Sequence, residues 1–430
     1  MDRHKRLFLK DVYSGKVGTA VHSFLAMDCI NRNNCFFMGK LQINMKNLRQ
    51  WQQDAFELWQ TDQRGVVQAV TGAGKTVFAI HCIKRFKQRN PSALTAIIVP
   101  TITLQLQWTD EIQSSFREAI IASKVDEVGE TTEFLIVVIN SARGNKIRAS
   151  TTRDIFIIVD ECHRSGSELN STALLGPWCA TLGISATPER EYDDGFESKI
   201  SPALGEVLYS YDYKQAMQDG VIVPFNLHNV KVPLNDEEQK QYDAMSARIA
   251  RLVSKVGFED EQVKSLLRSR ARIPMMSIDR LVVAVQLIKQ LVPMTTIVFH
   301  ESLDALSSMK TMLDMQHVAS VVYHSKQKPA ANVEAIRHFK NGAATVLLTC
   351  RAIDEGANVP QSEVAVIVAS TASGRQRIQR IGRVLRTFRG KEHADIYTFF
   401  ATDNEENRLL QECSDFAGTH GISVDWLTTA

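Results

Sequence analysis

A glycine-rich run near the start of the sequence has the composition of a phosphate-binding loop. It reads AVTGAGKT over positions 69–76, after the apolar run GVVQAV and before the helical pattern FAIHCIKRF. Glycines allow backbone amides to face phosphate oxygens at a helix N-terminus, a lysine neutralises the β and γ phosphates, and a hydroxyl ligates Mg²⁺. The alternative is a glycine-rich turn that caps an ordinary helix, which the strand, loop and helix context disfavours. The predicted nucleotide contacts are Thr71, Gly72, Ala73, Gly74, Lys75 and Thr76, with Thr76 also a metal ligand.

An acidic pair, Asp160 and Glu161, follows the apolar run DIFIIV. Buried parallel strands present such residues to the crevice beyond the carboxyl edge of their sheet. There Asp160 is suited to hold Mg²⁺ and Glu161 to polarise an attacking water, the two roles that phosphoryl transfer to water requires. Without other signals, such a pair more often caps the next helix as solvated acids. The phosphate-binding loop upstream makes the catalytic interpretation the preferred one.

Arginines recur three residues apart towards the C-terminal end of the chain. The segment GRQRIQRIGRVLR spans positions 374–386 and places Arg380, Arg383 and Arg386 on one face of a predicted helix. Guanidinium groups in a row suit bidentate contact with phosphate oxygens and with charge that develops in a transition state. A generic basic stretch is more often a solvated helix face. This row lies in a second α/β half that lacks a phosphate-binding loop. We therefore predict that these arginines complete the phosphate site of the first half.

The elements that must carry these residues are short apolar runs separated by helix-length segments. Runs so short and so apolar are typical of parallel strands that helices cover on both faces. They occur in two blocks, which predicts two tandem α/β domains with parallel sheets. The runs are GVVQAV, TAIIVP, FLIVVIN, DIFIIVDE and TLGISAT in the first block, and TTIVF, VASVVYH, TVLLTC, VAVIVAS and DIYTFF in the second.

These patterns divide the chain into three parts. Residues 46–210 are the predicted ATP-binding domain, and residues 211–430 are the predicted second domain. A helical insertion is predicted at about 235–274, where apolar residues recur at helical spacing. Residues 1–45 have no clear period and are predicted to form a small accessory segment.

Two clusters remain open to two interpretations. Arg268, Arg270 and Arg272 alternate along a basic stretch that can track a nucleic-acid backbone, although a solvated surface is the commoner outcome. Phe36 and Phe37 can stack on bases, although burial in a core is commoner for such residues. Neither cluster decides the function.

Composition limits the class of protein without identifying its function. A chain of 430 residues with 44% hydrophobic residues has enough apolar material for two or three domains. The formal charge of +2 does not identify a nucleic-acid binder, because acidic surface can offset a basic groove. The seven cysteines include no C-x-x-C pair, so they indicate neither a zinc site nor a redox centre. No apolar run approaches the roughly 18–20 residues that span a bilayer, so we expect an intracellular protein that is cytoplasmic, nucleoid-associated or, if viral, in the host cytoplasm.

The motifs and their order resemble those of superfamily two helicases, in the DNA helicase and translocase branch that includes XPB-like, type III restriction-like and UvsW-like proteins. The resemblance runs from Leu48 to the C-terminus. The first-half motifs are LRQWQ for adenine recognition, TGAGKT as motif I, VPTITLQLQW as motif Ia, DECH as motif II and SATPER as motif III. In the second half, TTIVFHESLDAL is similar to motif IV, LLTCRAIDEGANVP to motif V and QRIGRVLR to motif VI. The spelling DECH is of the DExH type.

The resemblance implies two RecA-like lobes that bind ATP and Mg²⁺ between them. The implied ATP-site residues beyond the loop are Arg49 and Gln52 at the base, Gly356 at the ribose, Gln379 near the γ-phosphate, Asp160 as metal ligand, Glu161 as general base, and Arg383 and Arg386 as arginine fingers. The implied coupling residues are His163, Ser185 and Thr187, and the implied nucleic-acid contacts are Thr101 and Thr349. The family often has aspartate where this sequence has Asn358, which weakens a ribose contact there.

The predicted function is that of an ATP-dependent DNA helicase or translocase that moves on, unwinds or remodels duplex, forked or branched DNA without sequence preference. Its expected partners are DNA and proteins of a repair, recombination or defence complex, with no membrane. An RNA helicase is one alternative. Another is the motor subunit of a restriction or anti-phage defence complex that translocates without unwinding. A non-catalytic scaffold is disfavoured, because none of the charged ATP-site residues is lost: Lys75, Asp160, Glu161, Arg383 and Arg386.

Overall fold

The structure is a computed structural model, and it describes most of the chain after residue 47. The described residues are 48–189, 193–350, 362–369, 382, 384–388, 390–414, 416 and 421–429. They all belong to one unit, Asn44–Ala430. The predicted accessory segment 1–45, which includes Phe36 and Phe37, lies outside the described residues.

Seven parallel strands form the first sheet. They are β1 (Val66–Ala69), β2 (Leu94–Val99), β3 (Ile121–Ala122), β4 (Phe134–Val138), β5 (Ile155–Asp160), β6 (Ala180–Ser185) and β7 (Val207–Tyr211). Their spatial order is β3-β4-β2-β5-β6-β1-β7. Strands β2, β5 and β6 are buried along their whole length, as expected of parallel strands that helices cover on both faces. Because parallel strands end at one edge, the residues that follow β1, β5 and β6 are brought together.

In the described residues up to Gln218, the chain forms eight helices. They are α1 (Gln50–Asp62), α2 (Lys75–Arg89), α3 (Ile102–Ser115), α4 (Ile139–Ala142), α5 (Lys146–Ala149), α6 (Glu168–Ser171), α7 (Ser201–Leu204) and α8 (Tyr213–Gln218). Short 3₁₀ turns cover Val125–Glu127, Cys162–Gly166 and Thr172–Leu174, and a π-helical turn covers Phe196–Ile200. The start of α3 follows from its sequence, because the Thr101 hydroxyl accepts a hydrogen bond at 3.3 Å from the Leu104 amide and so caps the helix.

The core of the first lobe occupies both faces of its sheet. On one face, the Phe156 ring centroid lies 5.3 Å from that of Trp59 and 4.9 Å from that of Phe86. The other face is aliphatic, with Ile157 and Val159 buried. Alternate residues of β5 therefore pack on opposite sides of the sheet, as the pleat requires. Each large apolar side chain buried in this way stabilises the fold by roughly 1.5–3 kcal/mol.

Seven parallel strands also form the second sheet. They are β8 (Phe225–Lys231), β9 (Thr296–His300), β10 (Ser320–His324), β11 (Val346–Cys350), β12 (Val364–Ala369), β13 (Ala394–Phe400) and β14 (Ile422–Thr428). Their spatial order is β10-β11-β9-β12-β13-β8-β14. When each sheet is numbered from its own first strand, both orders read 3-4-2-5-6-1-7. The two lobes therefore share one topology.

The described helices of the second lobe begin with a long pair. They are α9 (Asp236–Val256), α10 (Glu261–Met275), α11 (Ile278–Leu291), α12 (Leu303–Met315), α13 (Pro329–Lys340) and α14 (Asp403–Ser414). Asn235 caps α9 by accepting a hydrogen bond at 2.9 Å from the Glu238 amide, and Asp260 caps α10 by accepting one at 2.8 Å from the Gln262 amide. Gly257, with a φ of +81°, ends α9. The pair lies in the stretch for which the sequence predicts a helical insertion.

The predicted fold class is confirmed, because two tandem α/β domains with parallel sheets are present. Each predicted apolar run contains a strand. The sequence does not predict β3, β7, β8 and β14. Strand β8 alternates between buried and half-buried residues, and β14 is mostly exposed. The sequences of these two strands therefore contain no continuous apolar run. Within the described ranges, no helix combines the length and the apolar character needed to cross a lipid bilayer.

Candidate functional site

The chain passes from β1 into α2 through a glycine-rich loop, residues 70–74. Gly72 and Gly74 have φ values of +90° and +97°, a conformation that favours glycine because it lacks a Cβ. Gly74 directly precedes Lys75, the first helical residue, so the N-terminus of α2 opens into the loop. The Lys75 ammonium donates a hydrogen bond at 2.9 Å to the carbonyl of Ala69, which ends β1. The loop thus offers backbone amides and an ammonium, the groups that bind a polyphosphate.

Two side chains at the start of α1 brace this loop through its carbonyl groups. The Gln52 amide donates to the Gly74 carbonyl at 2.9 Å, and the Arg49 guanidinium donates to the Ala73 carbonyl at 3.1 Å. The side-chain oxygen of Gln52 accepts from the Arg49 backbone amide at 2.9 Å. These bonds draw the loop carbonyls towards α1 and leave loop amides for a ligand. Contact of Arg49 and Gln52 with a base stays a prediction.

The acidic pair lies at the end of β5. Asp160 is the last residue of the strand, and Glu161 begins the following turn with a φ of +49°. Asp160 is 8% exposed, and its carboxylate accepts hydrogen bonds from the Trp108 indole at 2.8 Å and the Glu161 amide at 3.0 Å. Burial, followed by the charge of Glu161, raises the pKa of Asp160 to about 6, although the Trp108 hydrogen bond and the charge of Lys75 act to lower it. The neutral donors orient this carboxylate without cancelling its charge, which leaves it suited to a cation.

His163 and Ser185 connect the acidic pair to the end of β6. The Nδ1 atom of His163 lies 3.5 Å from a carboxylate oxygen of Glu161 and 3.1 Å from the hydroxyl oxygen of Ser185. The Ser185 hydroxyl accepts a hydrogen bond from the Thr187 amide at 3.1 Å. His163 and Ser185 are both buried. The three predicted coupling residues therefore form one connected chain that begins at Glu161.

The second lobe meets the phosphate-binding loop through Gly382 and Arg386. Gly382 packs against Thr71 so closely that a Cβ on Gly382 would lie 2.7 Å from the Thr71 Cβ. Arg386 packs against Gly72, because a Cβ on Gly72 would lie 3.0 Å from both its Cγ and its Nε atoms. Burial lowers the pKa of the Arg386 guanidinium. The fold thus brings an arginine of the second lobe to the phosphate-binding loop of the first.

Arg386 does not lie on a helix, so the prediction of a single helical row is wrong at this residue. It forms an isolated antiparallel bridge with Ile222, and the Val223 amide donates to the Leu385 carbonyl at 3.0 Å. The chain has left the helical conformation at Leu385, and these backbone contacts hold Arg386 in place. The other predicted site residues of this region, Gly356, Asn358, Gln379, Arg380 and Arg383, lie outside the described residues.

The two predicted nucleic-acid contacts have different surroundings. Thr101 is half-buried where β2 leads into α3, and its capping hydroxyl keeps its own proton available for donation. Thr349 is fully buried in β11, between β9 and β10. Its hydroxyl has no hydrogen-bond partner within the described part of the chain. In this conformation Thr349 does not present its hydroxyl to a bound strand.

Trp108 and Gly382 belong to this site, and the sequence does not single them out. Trp108 ends the run VPTITLQLQW, and Gly382 lies inside QRIGRVLR, so both fall in motifs that the resemblance identifies only as wholes. The partner of Trp108 is 52 positions away in the sequence, and Gly382 meets Thr71 across the two lobes. Only the folded chain shows these contacts.

Two family models match the chain, one in each lobe. Residues 45–190 match the type III restriction enzyme, res subunit. Residues 279–388 match the helicase conserved C-terminal domain. The first segment contains the phosphate-binding loop and the acidic pair, and the second contains Gly382 and Arg386.

Relatives that match along most of the chain carry helicase or translocase names. The DNA 3'-5' translocase XPB2 of Sulfurisphaera tokodaii is 26% identical over 365 residues, which is 79% of this chain and 78% of the relative. The DNA 3'-5' helicase XPB of Mycobacterium tuberculosis is 26% identical over 394 residues, which is 87% of this chain and 64% of the relative. A probable RNA helicase of Dictyostelium discoideum matches at 22% identity over 333 residues, 75% of this chain and 58% of that relative.

Solved structures share the fold at low sequence identity. Saccharomyces cerevisiae Dbp5 bound to RNA and ADP BeF3 aligns with a TM-score of 0.59 and 15% identity, over 88% of this chain and 89% of that chain. The type ISP restriction-modification enzyme LlaBIII bound to DNA aligns with a TM-score of 0.62 and 13% identity, over 90% of this chain and 31% of that chain. These likenesses confirm the predicted tandem RecA-like architecture.

Proposed function

This chain belongs to superfamily two of the helicases and translocases, and we propose that it is a motor that moves along duplex DNA. It is an ATP-dependent DNA helicase or translocase, and so a nucleic-acid-dependent ATPase. The observation that carries the proposal is the divided site, in which Arg386 and Gly382 of the second lobe pack on the phosphate-binding loop of the first. A nucleotide bound between two lobes links its binding and hydrolysis to their relative movement.

Mg²⁺ fits this site because the residues present supply the ligands that the ion prefers. Asp160 offers a buried carboxylate, and Thr76, the second residue of α2, offers a hydroxyl. One or two protein oxygens together with substrate phosphates form the usual coordination of this ion. When bound, the ion neutralises phosphate charge and fixes the phosphate geometry. We assign Asp160 and Thr76 as its protein ligands.

Hydrolysis follows from groups on both sides of the cleft. Lys75 and the loop amides hold the β and γ phosphates, and Glu161 accepts the proton of the attacking water. Arg386 and Arg383 are proposed to stabilise the charge that develops on the transferred phosphoryl group, and Gln379 is proposed to act at the γ-phosphate. The position of Arg386 beside Gly72 supports this assignment.

The base and ribose of ATP have their own proposed contacts. Arg49 and Gln52 bind the adenine, and Gly356 contributes to the ribose contact. Because Arg49 and Gln52 also hydrogen-bond to carbonyls of the phosphate-binding loop, adenine binding and the shape of the loop are linked. We propose that the protein selects ATP as its nucleotide through these two side chains, which contact both the adenine and the loop.

His163, Ser185 and Thr187 are proposed to transmit the state of the nucleotide. Their chain of contacts starts at Glu161, the proposed general base, continues by hydrogen bonds from His163 to Ser185 and Thr187, and ends on the backbone that follows β6. We propose that the DECH sequence at 160–163 is a motif of the DExH type. Closure of the cleft by ATP and its reopening after hydrolysis would then alter the grip on nucleic acid.

DNA is the proposed track, with 3'-5' polarity. The named relatives from S. tokodaii and M. tuberculosis are a DNA 3'-5' translocase and a DNA 3'-5' helicase, which supports this choice. Contacts made mainly to phosphates give binding without sequence preference. Thr101 is a proposed contact, and Thr349 becomes one only in a state that exposes it. We propose that the substrate is duplex, forked or branched DNA and that the chain acts in repair or recombination with protein partners. We propose residues 46–210 and 211–430 as the two motor domains.

The test is a comparison of ATP turnover by the full chain without nucleic acid and with duplex DNA, single-stranded DNA or RNA. We expect duplex DNA to raise kcat most. Glu161→Gln is the control, because it removes the proposed base and keeps the groups that bind Mg·ATP. Stimulation by RNA alone would overturn the DNA assignment and identify an RNA helicase.

A second candidate function is that of the motor within a larger restriction or anti-phage defence machine. Two observations favour it: residues 45–190 match a restriction enzyme subunit, and the chain aligns with 31% of a type ISP restriction-modification enzyme. Such a motor translocates without separating strands. Separation of a forked duplex by the purified chain alone would argue against this function.

A further inference from the structure

Helix α3 is attached to the first sheet through two side chains. The Gln105 amide donates to the Ile136 carbonyl at 2.7 Å and to the Ser123 carbonyl at 2.8 Å, which ties the helix to the middle of β4 and to the residue after β3. Three residues further on, the Trp108 indole donates to the Asp160 carboxylate at 2.8 Å. Trp108 is 1% exposed. The helix is therefore bonded directly to the proposed metal ligand of the ATP site.

The same helix starts at Thr101, a proposed nucleic-acid contact. Thr101 caps α3, and Trp108 lies seven positions later on a continuous helix, a distance of about 10 Å along its axis. A helix of this length moves as a rigid element, so a displacement of its first turn also displaces the indole. The indole donates to one oxygen of Asp160, while the backbone amide of Glu161 donates to the other.

We infer that Trp108 is a positioning residue that couples nucleic-acid binding at the start of α3 to the orientation of the Asp160 carboxylate. The inference rests on the proposed function, because it takes DNA as the ligand of the α3 N-terminus and Asp160 as a metal ligand. The indole orients Asp160 for Mg·ATP through this bond already in the chain alone, and DNA bound at the start of α3 adjusts the same bond. DNA thereby accelerates turnover through one hydrogen bond between a side chain and a carboxylate.

The competing explanation is that Trp108 is only a core residue whose indole needs an acceptor. Buried tryptophans usually find one, and Trp59 provides the comparison within the same lobe. Trp59 is fully buried, and its indole donates at 2.8 Å to the backbone carbonyl of Thr181, at the start of β6. Both indoles lose one buried hydrogen bond when replaced by phenylalanine. Only Trp108→Phe removes a bond to Asp160, so Trp59→Phe is the matched control.

The first measurement uses no nucleic acid and no turnover. A fluorescent, non-hydrolysable ATP analogue is titrated into the full chain at a series of Mg²⁺ concentrations and in EDTA. We expect Trp108→Phe to weaken the Mg²⁺ dependence of binding by about ten-fold or more, the scale of one hydrogen bond to a charged group, and to leave binding in EDTA within about two-fold of the original. Trp59→Phe should change neither value. Equal behaviour of the two variants overturns the inference.

The second measurement is the ratio of kcat with saturating duplex DNA to kcat without DNA. We expect this ratio to fall at least about five-fold in Trp108→Phe and to persist in Trp59→Phe. A weaker Mg²⁺ dependence with an unchanged ratio overturns the coupling role. If the unsubstituted chain shows no stimulation by DNA, it is the proposed function that fails, and the first measurement still decides whether Trp108 orients Asp160.

A third variant separates the hydrogen bond from the packing. Benzothienylalanine has the shape of tryptophan with sulfur in place of the indole N–H, so its incorporation at position 108 keeps the core filled. It should reproduce both defects of Trp108→Phe with a melting temperature close to that of the original chain. Normal Mg²⁺ dependence and normal stimulation in this variant overturn the inference even if Trp108→Phe fails to fold.

Discussion

Two carboxylates, the buried Asp160 and the largely buried Glu405, are satisfied in opposite ways. Asp160 in the first lobe accepts hydrogen bonds from an indole and a backbone amide, and its pKa is raised to about 6. The carboxylate of Glu405 in the second lobe accepts hydrogen bonds from both terminal nitrogens of the Arg280 guanidinium, one to each oxygen, at 3.1 and 3.0 Å. Burial acts to raise the pKa of Glu405, but the charge and hydrogen bonds of Arg280, together with the amides of Ala401 and Thr402, outweigh it, so the pKa is lowered.

The difference separates a carboxylate that holds the fold together from one that is prepared for a ligand. Arg280 is fully buried on α11, and its bond to Glu405 on α14 joins two helices of the second lobe. A buried carboxylate with a matched cation is already neutralised. A carboxyl group in a cleft with a raised pKa is instead a candidate for binding a ligand. Substitutions at the two sites should therefore affect different quantities.

The largest effect is expected at the ATP edge of the first lobe. Glu161→Gln removes the proposed general base, and we expect kcat for ATP to fall by about a thousand-fold or more. Binding of Mg·ATP should persist, because Asp160, Thr76 and Lys75 remain. Steady-state turnover and equilibrium nucleotide binding measure the two quantities separately. Turnover within about ten-fold of the original would show that another group is the base.

The paired carboxylate should instead control stability. Arg280→Met leaves Glu405 buried without its cation, and we expect the free energy of unfolding of the second lobe to fall by about 3–5 kcal/mol. The double variant Arg280→Met with Glu405→Leu should recover most of this loss, because it removes both charges. Urea unfolding measures the free energy of unfolding, and hydrogen exchange of the α14 amides measures the local stability of that helix. Equal instability of the single and double variants would contradict the account of the pair.

Gly382→Ala tests whether the first-lobe site depends on close approach of the second lobe. The added Cβ would lie 2.7 Å from the Thr71 Cβ, so the two lobes must move apart. We expect kcat to fall by about ten- to a hundred-fold, the scale of a misplacement of about 1 Å, while nucleotide binding to the first lobe persists. Gly129→Ala is the control, since its nearest neighbour would be 3.9 Å away. Equal kcat values for the two variants would show that turnover does not depend on the contact between Gly382 and Thr71.

The smallest effect is a difference in pH dependence. In the metal-free protein Asp160 gains a proton as the pH falls through about 6, so Mg²⁺-dependent binding of a non-hydrolysable ATP analogue should weaken about ten-fold between pH 7 and pH 5. Binding of the analogue in EDTA supplies the control for protonation of the nucleotide. Glu405 has a lowered pKa, so its contribution to stability is present above the ordinary glutamate pKa and is lost only in stronger acid. A Mg²⁺ dependence that is flat with pH would contradict the environment assigned to Asp160.

Much of the fold could be predicted because its central strands are continuous apolar runs. Strand β5, for example, is buried at every position, and its sequence IFIIVD shows this directly. Strand β8 mixes Asn226, His228 and Asn229 with apolar residues, so its burial depends on the strands beside it. The shared strand order of the two sheets could not be predicted, since it depends on which distant segments pair.

The site could be predicted where chemistry dictates residue type within a short segment. Asp160 ends one recognisable strand and Lys75 follows another after a short loop, and the structure brings them to one edge of the sheet. Trp108 and Gly382 could not be predicted individually, because their importance depends on contacts with distant parts of the chain. The pairing of Arg280 with Glu405, 125 positions apart, is a contact of the same kind.

Displacement of a third strand from a DNA triplex tests the central claim most directly, because it reports movement along duplex DNA without requiring strand separation. We predict that the full chain displaces the third strand when ATP and Mg²⁺ are present, and that Glu161→Gln binds the same DNA but does not displace it. Equal displacement by Glu161→Gln, or no displacement by a chain whose ATP turnover is stimulated only by RNA, would contradict the account.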